Sequence, residues 1–74
     1  MNKPKKKFQC GAVTLSIWED YKMIDDEEFS VFSIQIDRAY KEDGEWKHTG
    51  YLRVKDLPKA AIVTTEAYKH LKLR

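Results

Sequence analysis

Residues 29–55 read FSVFSIQIDRAYKEDGEWKHTGYLRVK, two alternating segments on either side of an Asp-Gly pair. Apolar and polar side chains alternate through the first segment with a period of two, which is typical of a strand with one buried face. The Asp43-Gly44 pair supplies the positive φ angles that a tight hairpin turn needs. The stretch therefore predicts a strand over 29–40, a turn over 42–45 and a second strand over 46–55.

The flanking sequence extends this hairpin into a small α+β domain. Alternation over 8–18 predicts an earlier strand, in which Gly11 marks a bulge or bend. Residues 19–28 are charged and predict a connecting loop. Asp56 is a predicted N-cap for a helix over 57–71. The helix has a stripe that would cover one face of the sheet, formed by Leu57, Ala60, Val63, Thr64, Ala67, Tyr68 and Leu71. The expected fold is a three-stranded antiparallel sheet followed by one C-terminal helix, β-β-β-α.

Length and composition limit what holds this domain together. The chain has 74 residues with a single cysteine, Cys10, and two distant histidines, His48 and His70. A domain this small has a thin core, and neither a disulfide nor a metal site is expected to reinforce it. We therefore predict no cofactor and a homodimer, with a disordered basic arm over 1–6 and a single domain over 7–74.

The sequence offers little for catalysis or for a membrane. Neither histidine has a visible nucleophile or carboxylate partner, and no glycine-rich phosphate loop is present, so we expect no enzyme. No segment reaches the roughly 20 apolar residues of a membrane span. The lone cysteine and the absence of a signal peptide predict a cytoplasmic protein.

The predicted sheet face away from the helix mixes aromatic, cationic and small polar side chains. Aromatic rings on which bases stack, with cations for the phosphates, are what proteins use to bind single strands. Thr, Ser, Lys and Arg are also ordinary residues on a solvated sheet face, so the composition favours binding without specifying it. The expected nucleic-acid-binding residues on this face are Trp18, Lys47, Tyr51, Arg53 and Lys55.

The order of motifs resembles that of the positive-cofactor-four family of transcriptional coactivators and, more loosely, the Whirly proteins. The likeness lies in Phe8-Gln9-Cys10-Gly11, in residues 34–40 (IQIDRAY), in Asp43-Gly44-Glu45 and in Leu57-Pro58. Short prokaryotic proteins share a Phe-x-x-Gly-x-Val motif in the first strand and a Leu-Pro-Lys-Ala motif at the start of the helix. The resemblance implies a dimer, joined through its helices, that binds single-stranded DNA with its sheets.

The same resemblance adds Tyr40 to the candidate site, because the family uses an aromatic residue late in this strand. It also supports Lys47, Arg53 and Lys55 as cationic strand residues. If the strand alternates strictly, Tyr40 lies on the same face as the core residues. A twist or bulge in the strand would have to turn its side chain toward the ligand. The long acidic loop over 19–28 departs from the family pattern, in which that loop is short and basic.

Two functions follow as hypotheses. The first is binding of single-stranded DNA or RNA in replication, repair or transcription. The alternative is a protein-interaction adaptor that uses the acidic loop 19–28, where Tyr21, Met23 and Ile24 alternate with charges and could dock on a basic partner.

Overall fold

The computed structural model describes residues 3–72 and contains a four-stranded antiparallel sheet in the order β1-β2-β3-β4. The elements are β1 Lys6–Cys10, β2 Val13–Ile24, β3 Glu27–Glu42, β4 Glu45–Thr49, a 3-10 turn Val54–Asp56 and α1 Leu57–Lys72. The predicted α+β class and the C-terminal helix are confirmed. The prediction of three strands is wrong.

The first difference lies at Gly11, where the predicted strand over 8–18 turns back on itself. Gly11 has φ +61°, and β1 pairs antiparallel with β2 from Cys10 opposite Val13. The glycine therefore forms a tight turn instead of a bulge. Alternation alone does not separate these outcomes, because a one-residue bulge and a two-residue turn both shift the alternation by one residue.

The second difference is that the predicted acidic loop over 19–28 is a hairpin. β2 continues to Ile24, turns through Asp25 and Asp26 with φ of 51° and 66°, and returns as β3 from Glu27. Aspartate tolerates the left-handed conformation better than most residues. Charged side chains on both faces of this hairpin hide the alternation that marks a half-buried strand.

The third difference is that β4 ends at Thr49, well before residue 55. The buried Asp56, only 2% exposed, accepts a hydrogen bond of 2.9 Å from the Arg53 backbone N–H. Arg38 on β3 places its Nε 3.4 Å from the same carboxylate and donates to the Tyr51 carbonyl at 3.2 Å. These contacts hold residues 50–56 beside the sheet. The Asp56 carboxylate therefore accepts from Arg53, which precedes it in the chain, and not, as the sequence predicts, from the first turn of the helix.

The core is small and lies between α1 and the first two strands. Its buried apolar residues are Val13, Leu15, Ile17, Val63 and Ala67. The main contacts of α1 are with β1 and β2. Leu57, Thr64 and Tyr68 of the predicted stripe are exposed. Phe32 and Ile36 of β3 pack against the core, whereas Ile34 is half exposed, so the helix covers this side of β3 only in part.

The N-terminal segment joins the sheet earlier than the sequence predicts. The Lys5 backbone N–H donates to the Ile17 carbonyl at 2.7 Å, and its side chain forms an ion pair with Glu19. Residues 1–2 of the predicted arm and residues 73–74 of the predicted domain lie outside the described residues. Within residues 3–72, no helix has the length and apolar character required to cross a membrane.

Asp56→Ala is expected to lower the free energy of unfolding by about 3 kcal/mol, because it leaves Arg38 with an uncompensated, largely buried charge. Glu42→Ala, which removes the exposed partner of Lys47, is the control and should change stability by about 0.5 kcal/mol or less. Urea denaturation measures both. Equal, small effects of the two substitutions would contradict the structural role of the Arg38–Asp56 pair.

Candidate nucleic-acid interface

The hairpin registers decide which side chains share a face of the sheet. Directly paired residues point to the same side, and successive residues along a strand alternate. Val13, Leu15 and Ile17 face α1, so the even-numbered residues of β2 and their partners face away from it. We call that side the open face. Its aromatic and basic residues are Lys7, Trp18, Lys22, Phe29, Lys41 and Trp46.

Trp46 and Lys41 form an exposed pair on the open face. They are cross-strand partners on β4 and β3, and the Lys41 Nζ lies 5.9 Å from the centroid of the Trp46 ring. Trp46 is 68% exposed. An exposed indole beside an ammonium group presents a stacking surface for a base next to a cation for its phosphate.

Trp18 lies on the same face further along β3, where it pairs with Ser33 and is partly buried. Eight residues of β3 separate Ser33 from Lys41, so the two indoles lie about 26 Å apart along the strand. Hydrogen-bonding groups occupy the interval. The His48 Nδ1 lies 3.3 Å from the Asp37 carboxylate, and Gln35 lines a shallow pocket beside both.

Charges on the open face are mixed. Lys7, Lys22 and Lys41 supply positive charge, whereas Asp20 and Glu27 add negative charge on the hairpin between β2 and β3. Asp37 adds one negative charge in the body of the sheet, beside His48. A phosphate backbone is repelled by the acidic hairpin. The favourable path for a polyanion therefore runs over the body of the sheet, from Lys7 toward Lys41.

The structure brings together only part of the predicted site. Trp18 lies on the open face as predicted. Tyr40 and Lys47 are cross-strand partners on the opposite side, the side of α1, so the predicted placement of Lys47 is wrong. Lys47 binds Glu42 at 2.9 Å, and the Arg38 guanidinium lies 5.5 Å from the Tyr40 ring centroid.

The three remaining predicted residues, Tyr51, Arg53 and Lys55, follow the end of β4. Tyr51 is 84% exposed on the segment after the strand, and Lys55 lies in the 3-10 turn. Their placement on a third strand is therefore wrong. The Tyr51 backbone stays beside β3 and β4 through Arg38 and Thr49, and Arg53 and Lys55 lie next to the start of α1.

Trp46 and Lys41 were missed, although the sequence contains the signal that identifies them. A two-residue turn at Asp43-Gly44 pairs Glu42 with Glu45 and therefore Lys41 with Trp46. The same register puts Lys47 opposite Tyr40. Turn geometry fixes this register independently of hydrophobic pattern.

Within the described residues 3–72, no group of three His, Cys, Asp or Glu side chains is placed to hold a metal ion. Comparisons with protein-family models, with curated proteins and with solved structures found no match to the chain. The resemblance to the positive-cofactor-four family stays a prediction.

Single-tryptophan variants test the different exposure of the two indoles. In Trp18→Phe, the remaining Trp46 is expected to be quenched strongly by acrylamide, because it is largely exposed. In Trp46→Phe, the remaining Trp18 is partly buried and should be quenched less and emit at a shorter wavelength. Fluorescence quenching of the two proteins measures this. Equal quenching, or the reverse order, would contradict the geometry of the open face.

Proposed function

We propose that this protein binds single-stranded nucleic acid along its open face. The observation that carries the proposal is the exposed Lys41–Trp46 pair lying on the same sheet face as Trp18. In this proposal the two indoles stack on bases, and Lys7 and Lys41 neutralise phosphates. Gln35, His48 and the small hydroxyl side chains between the indoles hydrogen-bond to base edges.

Single strands fit this surface better than duplex for a physical reason. Stacking on an indole requires an unstacked base with a free face, which a duplex does not offer without local melting. The open face is a sheet surface and offers no helix for a major groove. Single-stranded DNA is the form that the family resemblance favours, with roles in replication, repair or transcription.

Trp46→Ala and Trp18→Ala are each expected to weaken binding of a single-stranded oligonucleotide by about 1–3 kcal/mol. Fluorescence anisotropy of a labelled oligonucleotide measures the affinity, and a matched duplex is expected to bind more weakly. Tyr51→Ala is the control, because it removes an exposed aromatic residue that lies outside the paired strands. Loss of binding in Tyr51→Ala with none in the tryptophan variants would contradict the proposed site.

The salt dependence of binding tests the phosphate contact of Lys41. Each phosphate contact to a single strand contributes about −0.7 to the slope of log K against log salt. Lys41→Gln is therefore expected to make the slope shallower by about 0.7, whereas Lys69→Gln, on the exposed side of α1, should leave it unchanged. Identical slopes for Lys41→Gln and the unsubstituted protein would show that Lys41 does not contact a phosphate.

We also propose that the acting form is a homodimer, because the surface of the chain is large for its mass. Its accessible area is 6037 Å², whereas a folded monomer of 8.8 kDa exposes about 4,800 Å². Its radius of gyration is 14.9 Å, against about 11 Å for a compact domain of this length. The excess of about 1,200 Å² matches one partner's share of a stable dimer interface.

The adaptor function is the second candidate, and one observation favours it. Tyr21, Met23 and Ile24 are all exposed on the acidic hairpin between β2 and β3. Exposed apolar residues on a projecting two-stranded hairpin are typical of a surface that contacts another protein. A pull-down after nuclease treatment separates the candidates: proteins retained without nucleic acid favour the adaptor, and their loss favours nucleic-acid binding.

A further inference from the structure

The hairpin between β2 and β3 extends beyond the rest of the domain. The last β2 residue that pairs with β1 is Ile17, and β4 pairs with β3 only from Arg38 onward. Every residue from Asp20 to Val31 is exposed. We call residues 19–32 the hairpin arm. A two-stranded hairpin is marginally stable alone, so an arm that exposes apolar side chains on both faces gains from a covering surface.

A second uncovered apolar surface lies next to the base of the arm, on the helix side of the sheet. It is a groove between α1 and β3, lined by Leu15, Ile34, Thr64, Ala67, Tyr68 and Leu71. Ile34 is 50% exposed and Tyr68 is 63% exposed. By register, Tyr21 and Met23 of the arm lie on this same side of the sheet, beyond the Glu19–Phe32 pair at its base, so the groove and the arm expose apolar residues on one side.

The direction of α1 places the groove between the arm and the start of the helix. Near the helix start, the Lys59 Nζ lies 3.0 Å from the point where a Cβ on Gly11 would stand. Near the helix end, His70 packs edge-on against Phe8, with ring centroids 5.8 Å apart. The helix therefore runs from the Gly11 turn toward the base of the arm, and the arm continues in the same direction.

The arm and α1, whose second half lines the groove, are similar in length. The seven residues of β2 beyond Ile17 span about 23 Å, and the 16 residues of α1 span about 24 Å. A two-fold axis through the groove would lay the arm of each copy along the α1 of the other. The end of the sheet that α1 covers in one protomer would then pack against the two-stranded arm of its partner.

Charges favour the same arrangement. The arm tip carries Asp25, Asp26, Glu27 and Glu28, and the start of α1 is flanked by Arg53, Lys55 and Lys59. The two-fold arrangement brings the acidic tip of each copy to the basic helix start of the other. Because a two-fold interface is isologous, both ion-pair clusters form at once, and opposite charges fix the register of the two chains.

We propose that two copies of this chain pair through the helix side of the sheet, with the arm of each lying along α1 of the partner. The proposal rests on the proposed homodimer and is independent of nucleic-acid binding. It assigns Arg53 and Lys55 to the contact between protomers. It also leaves both open faces on the outside of the dimer.

Reciprocal charge reversal tests the arrangement. Glu27→Lys with Glu28→Lys reverses the arm tip, and Arg53→Glu with Lys55→Glu reverses the helix start; all four positions are exposed. Each variant alone faces like charges at both ends of the interface, and we expect its dimer to weaken by about tenfold or more. An equimolar mixture of the two variants restores both attractive contacts and should form mixed dimers as tight as the original.

Analytical ultracentrifugation of the full chain measures the association, with circular dichroism to confirm that the variants fold. Dimers of the unsubstituted chain, weakening in both variants and recovery in the mixture support the proposal. A monomeric chain at about 100 μM, dimers unaffected by either variant, or a mixture that does not recover would overturn it. Trp18→Ala with Trp46→Ala is the control: it should stay dimeric while losing oligonucleotide binding, so failure of either proposal is seen separately.

Discussion

The registers fixed by the two-residue turns are the constraint on which the rest of the structure depends. Asp25-Asp26 and Asp43-Gly44 all have positive φ, as tight hairpin turns require. A shift of one residue in either turn would move every side chain of the following strand to the other face. The position of Trp46 on the open face, and of Tyr40 and Lys47 on the helix side, follows directly from these turns.

A second consequence is that α1 covers the helix side of the sheet only in part. α1 packs mainly on β1 and β2, where Val13, Leu15 and Ile17 are buried. Ile34 on β3 stays half exposed. The Arg38–Asp56 pair holds the helix start beside β3, which places the basic residues around Asp56 at one end of this side and the acidic arm at the other.

The sequence predicts much of the fold because the alternation of apolar residues is clear in strands and helices that bury one face. The helix, the Asp-Gly turn and the core sides of β2 and β3 follow from periodicity and turn chemistry. The Gly11 turn and the hairpin arm do not, since a bulge and a two-residue turn shift the alternation in the same way and a hairpin exposed on both faces shows no apolar side. Residues 50–56 leave the sheet through the contacts of Arg38 and Asp56, which are distant in sequence and invisible to pattern.

The sequence predicts the type of candidate site but only some of its residues. An aromatic and basic sheet face was expected, and Trp18 lies on it. Lys47 was placed on that face by treating 46–55 as one strand, but β4 ends at Thr49. Counting from the Asp43-Gly44 turn gives Trp46 and Lys41 instead. The side of a short edge strand is therefore better inferred from its turn than from its weak hydrophobic pattern.

Backbone and indole NMR shifts on titration with a short single-stranded oligonucleotide test the central claim most directly. We predict that changes concentrate on the open face, at the indole N–H groups of Trp18 and Trp46 and around Gln35 and Lys41. Residues Tyr40 and Lys47 and the outer side of α1 should change little. Changes centred on Arg53, Lys55 and α1, with both indoles unaffected, would contradict binding by the open face.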